Sequence, residues 1–144
     1  MKKHLFYLAW LLFVQNGLAK TIKVGKNQAF KTIRKALAAS QNGDSLLVEK
    51  GFYKEGNLTI RTSIYFAGIG MPILDGEKKH EVLSVKANNV TVKGFKVQHS
   101  SIASLDDPGG IKVYESSNVR ILDNVLYDNF FGIYIQYCKN ILVK

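Results

Sequence analysis

At 144 residues the chain has room for one domain. Its formal net charge is +9; with Lys2 and Lys3 set aside, 18 basic residues stand against 11 acidic ones, a net charge of +7. The export signal of the first nineteen residues argues against a nucleic-acid partner, no run interleaves Lys or Arg with stacking aromatics, and the single cysteine, Cys138, excludes an internal disulfide framework. A solvated basic face is the plain meaning of that charge. An anionic surface, such as a polysaccharide, an anionic lipid leaflet or an acidic protein, is the sharper one.

The first nineteen residues read as a secretory signal. Lys2 and Lys3 precede an apolar run from Leu5 to Val14, and Gly17-Leu18-Ala19 offers small residues for cleavage after Ala19. The apolar run is too short to span a bilayer core of about 30 Å, so no transmembrane anchor is expected after cleavage. The mature domain then comprises residues 20–144.

Thr21 to Val24 predicts a short strand. Phe30, Ile33, Ala36 and Leu37 fall at helical spacing, with Lys31, Arg34 and Lys35 opposite, which predicts an amphipathic helix over Phe30 to Ser40 with Gly43 as its C-terminal cap. From Ser45 onward the chain reads as strand and turn: Leu46 to Val48, Leu58 and Ile60, Ile64 and Phe66, Leu83 and Val85, Val90 and Val92. Gly68, Gly70, Pro72 and Asp75-Gly76 punctuate these runs. Asn57-Leu58-Thr59 and Asn89-Val90-Thr91 match the glycosylation sequon, but the second falls where a turn enters a strand.

The C-terminal part is one unit written twice. Gly110, Ile111, Val113, Asn118, Val119 and Ile121 recur 22 residues later as Gly132, Ile133, Ile135, Asn140, Ile141 and Val143. A period near 22 with alternating β-branched residues predicts an all-β, right-handed parallel β-helix, with the N-terminal helix as its cap. Gly110 and Gly132 mark the rung entries. Asn118 and Asn140 should stack at a turn as an asparagine ladder. Val90, Val92 and Val97 recur at 29 residues instead, as Val119, Ile121 and Leu126. The excess of about seven residues predicts an inserted loop over Ser100 to Gly109. The second copy stops at Lys144, inside a repeat, which predicts that residues 20–144 are the N-terminal part of a longer β-helix.

Phe30-Lys31-Thr32-Ile33, Asn42-Gly43-Asp44 and Val48-Glu49-Lys50-Gly51-Phe52-Tyr53 together resemble the opening of pectate-lyase-like β-helix proteins. Val92 to Val97, the loop from Ser100-Ser101 to Pro108, Gly110 to Val113 and Asp128 to Tyr134 are similar to the NosD family of nitrous oxide reductase maturation proteins. That resemblance implies a non-catalytic periplasmic protein. Its partners would be ABC transporter subunits and nitrous oxide reductase, and its task the assembly of the reductase's copper–sulfide centre. The alternative is a carbohydrate-active β-helix: a polysaccharide lyase, an epimerase or a sugar-binding module.

The chemistry-bearing residues are few. Asp106 and Asp107 lie in the inserted loop with Lys112 after it, a candidate binding loop, and Asp123 and Asp128 lie in the next turn. Copper would need imidazole or sulfur, and the mature chain offers His80, His99, Met71 and Cys138, none close in sequence. His99 is the best of these, at the entrance to the loop and expected beside Asp106 and Asp107. Cys138 aligns with Ser116 at a turn. Tyr127, Phe130, Phe131, Tyr134 and Tyr137 form an aromatic-rich stretch, with Tyr134 expected outward and Phe131 inward.

Overall fold

Short alternating runs become short strands. The computed structural model describes residues 17–102 and 107–144. Strand β1 (Thr21–Val24) leads to helix α1 (Ile33–Ala39). Then follow β2 (Ser45–Val48), β3 (Phe52–Tyr53), β4 (Leu58–Ile60), β5 (Tyr65–Gly68), β6 (Ile73–Asp75) and β7 (Leu83–Val85). The last seven are β8 (Thr91–Lys93), β9 (Lys96–Gln98), β10 (Gly109–Tyr114), β11 (Ser117–Leu122), β12 (Val125–Tyr127), β13 (Phe131–Gln136) and β14 (Lys139–Val143). The expected signal falls almost wholly on residues 1–16, outside the described residues. Among the described residues no helix is long and apolar enough to cross a membrane.

The strands stack into three parallel sheets around one bore, a right-handed parallel β-helix. The first sheet runs β1-β2-β5-β8-β11-β14, the second β3-β6-β9-β12 and the third β4-β7-β10-β13. No single rung can bury its apolar side chains, so each inward position repeats up the stack, one rung every ~4.8 Å. In the first sheet one inward column is Ile22, Leu46, Phe66, Val92, Ile121 and Val143. In the second it is Tyr53, Leu74, Val97 and Leu126. In the third, Ile60, Val85, Val113 and Ile135. The 22-residue repeat is the register of β10 on β13 and β11 on β14, and the 29-residue interval is that of β8 on β11 and β9 on β12. The extra length lies between β9 and β10. Its residues 103–106, including Asp106, are outside the described residues.

The helix is shorter than the apolar spacing predicts. Phe30 bridges to Val24 in parallel, which keeps the chain extended up to Thr32. Thr32 then caps the helix, its side chain accepting from the Lys35 N–H. At the other end Ser40, not Gly43, is the cap; its N–H and hydroxyl both donate to the Leu37 carbonyl. Gly43 instead turns the chain at φ +92° before Asp44. The helix packs on β1, β2 and β4 and seats Ile33 and Ala36 in the bottom of the bore. The Glu55 carboxylate accepts from the Ile33 and Arg34 N–H groups, both at 2.8 Å, and so ties the helix start to the next rung. Asp44 is buried; burial pushes its carboxyl pKa up, but the N–H groups of Lys20 and Gln41 outweigh that and lower it.

The asparagine ladder has three members. Asn140 Nδ2 donates to Asn118 Oδ1 at 3.2 Å, and Asn118 Nδ2 to Asn89 Oδ1 at 3.1 Å. All three sit in the left-handed region, at φ 52°, 58° and 55°. Asparagine tolerates that region better than other side chains. Asn118→Ala should therefore cost about 1–2 kcal/mol, from the backbone and the lost amide contacts together. Asn118→Gly should recover the backbone part. Urea midpoints of the two variants measure this, and an alanine variant as stable as wild type would remove the ladder from the account.

The last rung is less covered than the rung beneath it. Val113 and Ile121 are fully or almost fully buried, whereas Ile135 and Val143, next in the same columns, are 44% and 49% exposed. Phe131 does not enter the bore as its spacing suggests. It is exposed and packs against Phe130 and Tyr134. Gly110 is needed for close approach: a Cβ there would lie 2.7 Å from Asn129 Nδ2 and 2.9 Å from the Gly132 carbonyl. Gly132 is roomier, its nearest neighbour being Leu126 at 3.4 Å.

Candidate functional site

The turn between the second and third sheets collects most of the polar chemistry. Asp75, Gln98 and Tyr127 end β6, β9 and β12 in register, one above another. The chain then turns, with Gly76, His99 and Asp128 at the next position of each rung. His99 and Asp128 take left-handed backbone, at φ 56° and 51°. Gly76 has to be glycine, since a Cβ would lie 2.6 Å from the His99 carbonyl above it.

Asp75 is the anchor of the site, its side chain only 4% exposed. Its Oδ2 accepts from Gln98 Nε2 at 2.7 Å and faces His99 Nδ1 at 2.9 Å, while Oδ1 accepts from the Glu77 N–H at 2.7 Å. Burial pushes the Asp75 pKa up, but the bonds from Gln98, Glu77 and His99 outweigh it, and the net direction is down. An ionised Asp75 places the His99 proton on Nδ1. His99 Nε2 then faces Asp128 Oδ2 at 3.6 Å. Lys78 Nζ holds Asp128 from the other side, 2.7 Å from Oδ1, and lowers the pKa of that carboxyl. The result is a carboxylate–imidazole–carboxylate–ammonium row across neighbouring rungs, buried at Asp75 and open at Asp128.

The turn and the strands on either side of it also carry rings. Tyr127 meets His99 edge-on at 6.2 Å and lies under Lys96 Nζ at 5.0 Å. Phe130 and Phe131 meet edge-on at 4.8 Å, and Phe131 lies 5.4 Å from Tyr134. Tyr134 Oη donates to Asp107 Oδ2 at 3.3 Å, and Lys112 Nζ sits over the Tyr134 ring and 3.6 Å from Glu81 Oε2. Asn129 and Ser100 pin the turn. The Asn129 side chain accepts from the Ser100 N–H and donates to the Val97 carbonyl, and Ser100 Oγ accepts from the Phe130 N–H. Such a surface offers apolar ring faces beside fixed donors and acceptors, which is what a ligand with both apolar and hydroxylated faces needs.

The expected site residues are only partly brought together. His99, expected beside Asp106 and Asp107, is held by Asp75 and Asp128. Asp107 instead accepts from Tyr134. His80 is an exposed turn residue near Gly56. Met71 is exposed at another turn. Cys138 does stack on Ser116, but its thiol is turned to the carbonyls of Val113 and Gln136 and packs against the core. Among the described residues no group of three or more His, Cys, Asp or Glu side chains is arranged to hold a metal ion.

Acid should expose the Asp75 anchor. A group whose pKa is lowered by folding stabilises fully above its unfolded value, about 3.9, and that stabilisation is lost as pH falls through the lower folded value. Asp44 and Asp128 act with the same sign. The wild-type urea midpoint should therefore fall as pH drops below about 4. Asp75→Asn should start lower at neutral pH and fall less steeply in that window. A profile for the variant parallel to wild type would contradict the assignment.

No family model matches the chain, and no curated protein matches it. Among solved structures it is similar to a pectin methylesterase in complex with hexasaccharide VII, with a TM-score of 0.50 and 16% identity. The match covers 72% of this chain and 45% of the esterase chain. At that identity the likeness establishes the class of fold, a right-handed parallel β-helix, and the chain spans less than half of the esterase's length.

Proposed function

We propose that the chain is a carbohydrate-binding β-helix protein whose sugar site is the turn between the second and third sheets. The observation that carries this is the exposed Tyr127 set edge-on to His99 of the fixed row Asp75–His99–Asp128–Lys78, with the exposed rings of Phe130 and Phe131 following on the same turn. Stacked rings would take the apolar faces of sugar residues, and the row would take their hydroxyl or carboxylate edges. The hexasaccharide in the complex of the similar methylesterase is in keeping with such a ligand. A maturation role around a copper–sulfide centre, implied by the NosD-like passages, has less behind it. His80, His99 and Cys138 form no ligand group among the described residues. Export to the periplasm, expected from the first nineteen residues, would suit either role.

Affinity electrophoresis through gels containing an acidic or a neutral polysaccharide tests the proposal. The chain should be retarded, and retardation by the neutral polymer should survive about 0.15 M salt, where exposed charges are screened beyond ~8 Å. No retardation in any polysaccharide, together with loss of nitrous oxide reductase copper in a deletion strain, would replace this function with the maturation role.

A further inference from the structure

At the opposite end of the second sheet, beside the capping helix, the surface holds a groove of about 570 Å³. Lys26 and Lys31 line it from the loop between β1 and α1, and Lys50 and Lys54 from either side of β3. Phe52, 53% exposed, is in the wall. The groove's acid is Glu55, and both of its carboxylate oxygens are taken by the first N–H groups of the helix. Lys31 Nζ donates to the Lys26 carbonyl, which draws two of the lysines into one segment. Lys54 Nζ lies over the Phe52 ring at 5.4 Å and 3.6 Å from Glu77. Lys50 has no polar partner among the described residues. Four lysines against one lining carboxylate, itself bonded to two helix N–H groups, leave a net positive potential in the concavity, although Glu49 and Glu55 are near enough to raise the Tyr53 pKa after burial has done so.

The groove also lies on a line with the aromatic turn. Phe52 stands in register with Ile73, Lys96 and Val125 on the outer face of the second sheet, and Lys96 reaches over Tyr127. Three rung steps separate Phe52 from Val125, roughly 14 Å at the parallel-strand spacing. We propose that the lysine groove is a second subsite, for the carboxylate or sulfate groups of an acidic polysaccharide that runs along this face to the aromatic turn. The inference rests on the carbohydrate reading and adds the substrate class to it. An aromatic wall inside a concave groove suits a sugar ring with an acidic substituent better than a flat anionic lipid surface.

Calorimetric titration with galacturonic acid oligomers and with neutral oligosaccharides of equal length tests it. Lys31→Glu/Lys50→Glu should weaken the acidic oligomer by about tenfold and leave the neutral one unchanged. Lys31→Gln/Lys50→Gln should fall between. Tyr127→Ala should weaken both ligands. If the Glu variant, with unchanged circular dichroism, binds the acidic oligomer as wild type does while Tyr127→Ala still loses affinity, the subsite is overturned and the sugar site stands. If wild type binds neither oligomer, both are overturned. Tighter binding to phosphatidylserine vesicles than to the acidic oligomer would also overturn the subsite.

Discussion

Phe95→Ala should destabilise the domain by about 3–5 kcal/mol, the range for truncating a fully buried phenylalanine. Phe95 and Phe66 are both fully buried, and their rings stack at 4.4 Å between centroids and 22° between planes. Phe66 belongs to β5, whereas Phe95 follows the left-handed Gly94 in the turn between β8 and β9. The pair therefore joins two successive rungs at the centre of the stack. A solenoid rung is held by its neighbours alone, so the cavity cannot be filled from elsewhere. Against a total stability of roughly 5–15 kcal/mol, the loss is a large share. The urea midpoint should fall with the slope unchanged. Phe95→Leu, nearer in volume, should cost far less. A Phe95→Ala loss below about 1 kcal/mol would mean that the rungs do not meet through this pair.

The second large effect is on binding. Tyr127→Ala combined with Phe130→Ala should weaken sugar binding by about tenfold or more, since exposed rings at the centre of a contact carry most of its energy. Tyr127 is 58% exposed and Phe130 46%, and neither is in the core, so stability should change little. Equal affinity in the variant, measured by calorimetry with the neutral oligosaccharide, would move the site away from this turn.

The stack itself was legible because apolar periodicity and ladder register are one constraint seen twice. A residue that faces the bore must sit under another, so the 22- and 29-residue offsets translate directly into the pairing of β10 with β13 and β9 with β12. The same offset also carries site information. His99 plus 29 residues is Asp128, and those two side chains face each other. The 29-residue interval thus holds for polar positions as well as for the apolar ones that reveal it. Asp75 was out of reach by this route. The earlier rungs share no common offset, with β2 on β5 at 20 residues and β4 on β7 at 25, so nothing in the sequence places Asp75 under Gln98 and beside His99. The helix was overextended because Phe30 has the right spacing for α1 but finds a strand partner in Val24 instead. Tertiary pairing overrides periodicity at an element's end.

Hydrogen–deuterium exchange with and without a bound oligosaccharide locates the sugar site on the chain. With saturating ligand, amides from Tyr127 to Tyr134 and around His99 should slow, because a ligand seated on this turn holds its backbone against local opening. Slowing confined to other parts of the chain, or no change on adding ligand, would contradict the placement of a sugar site at the turn between the second and third sheets.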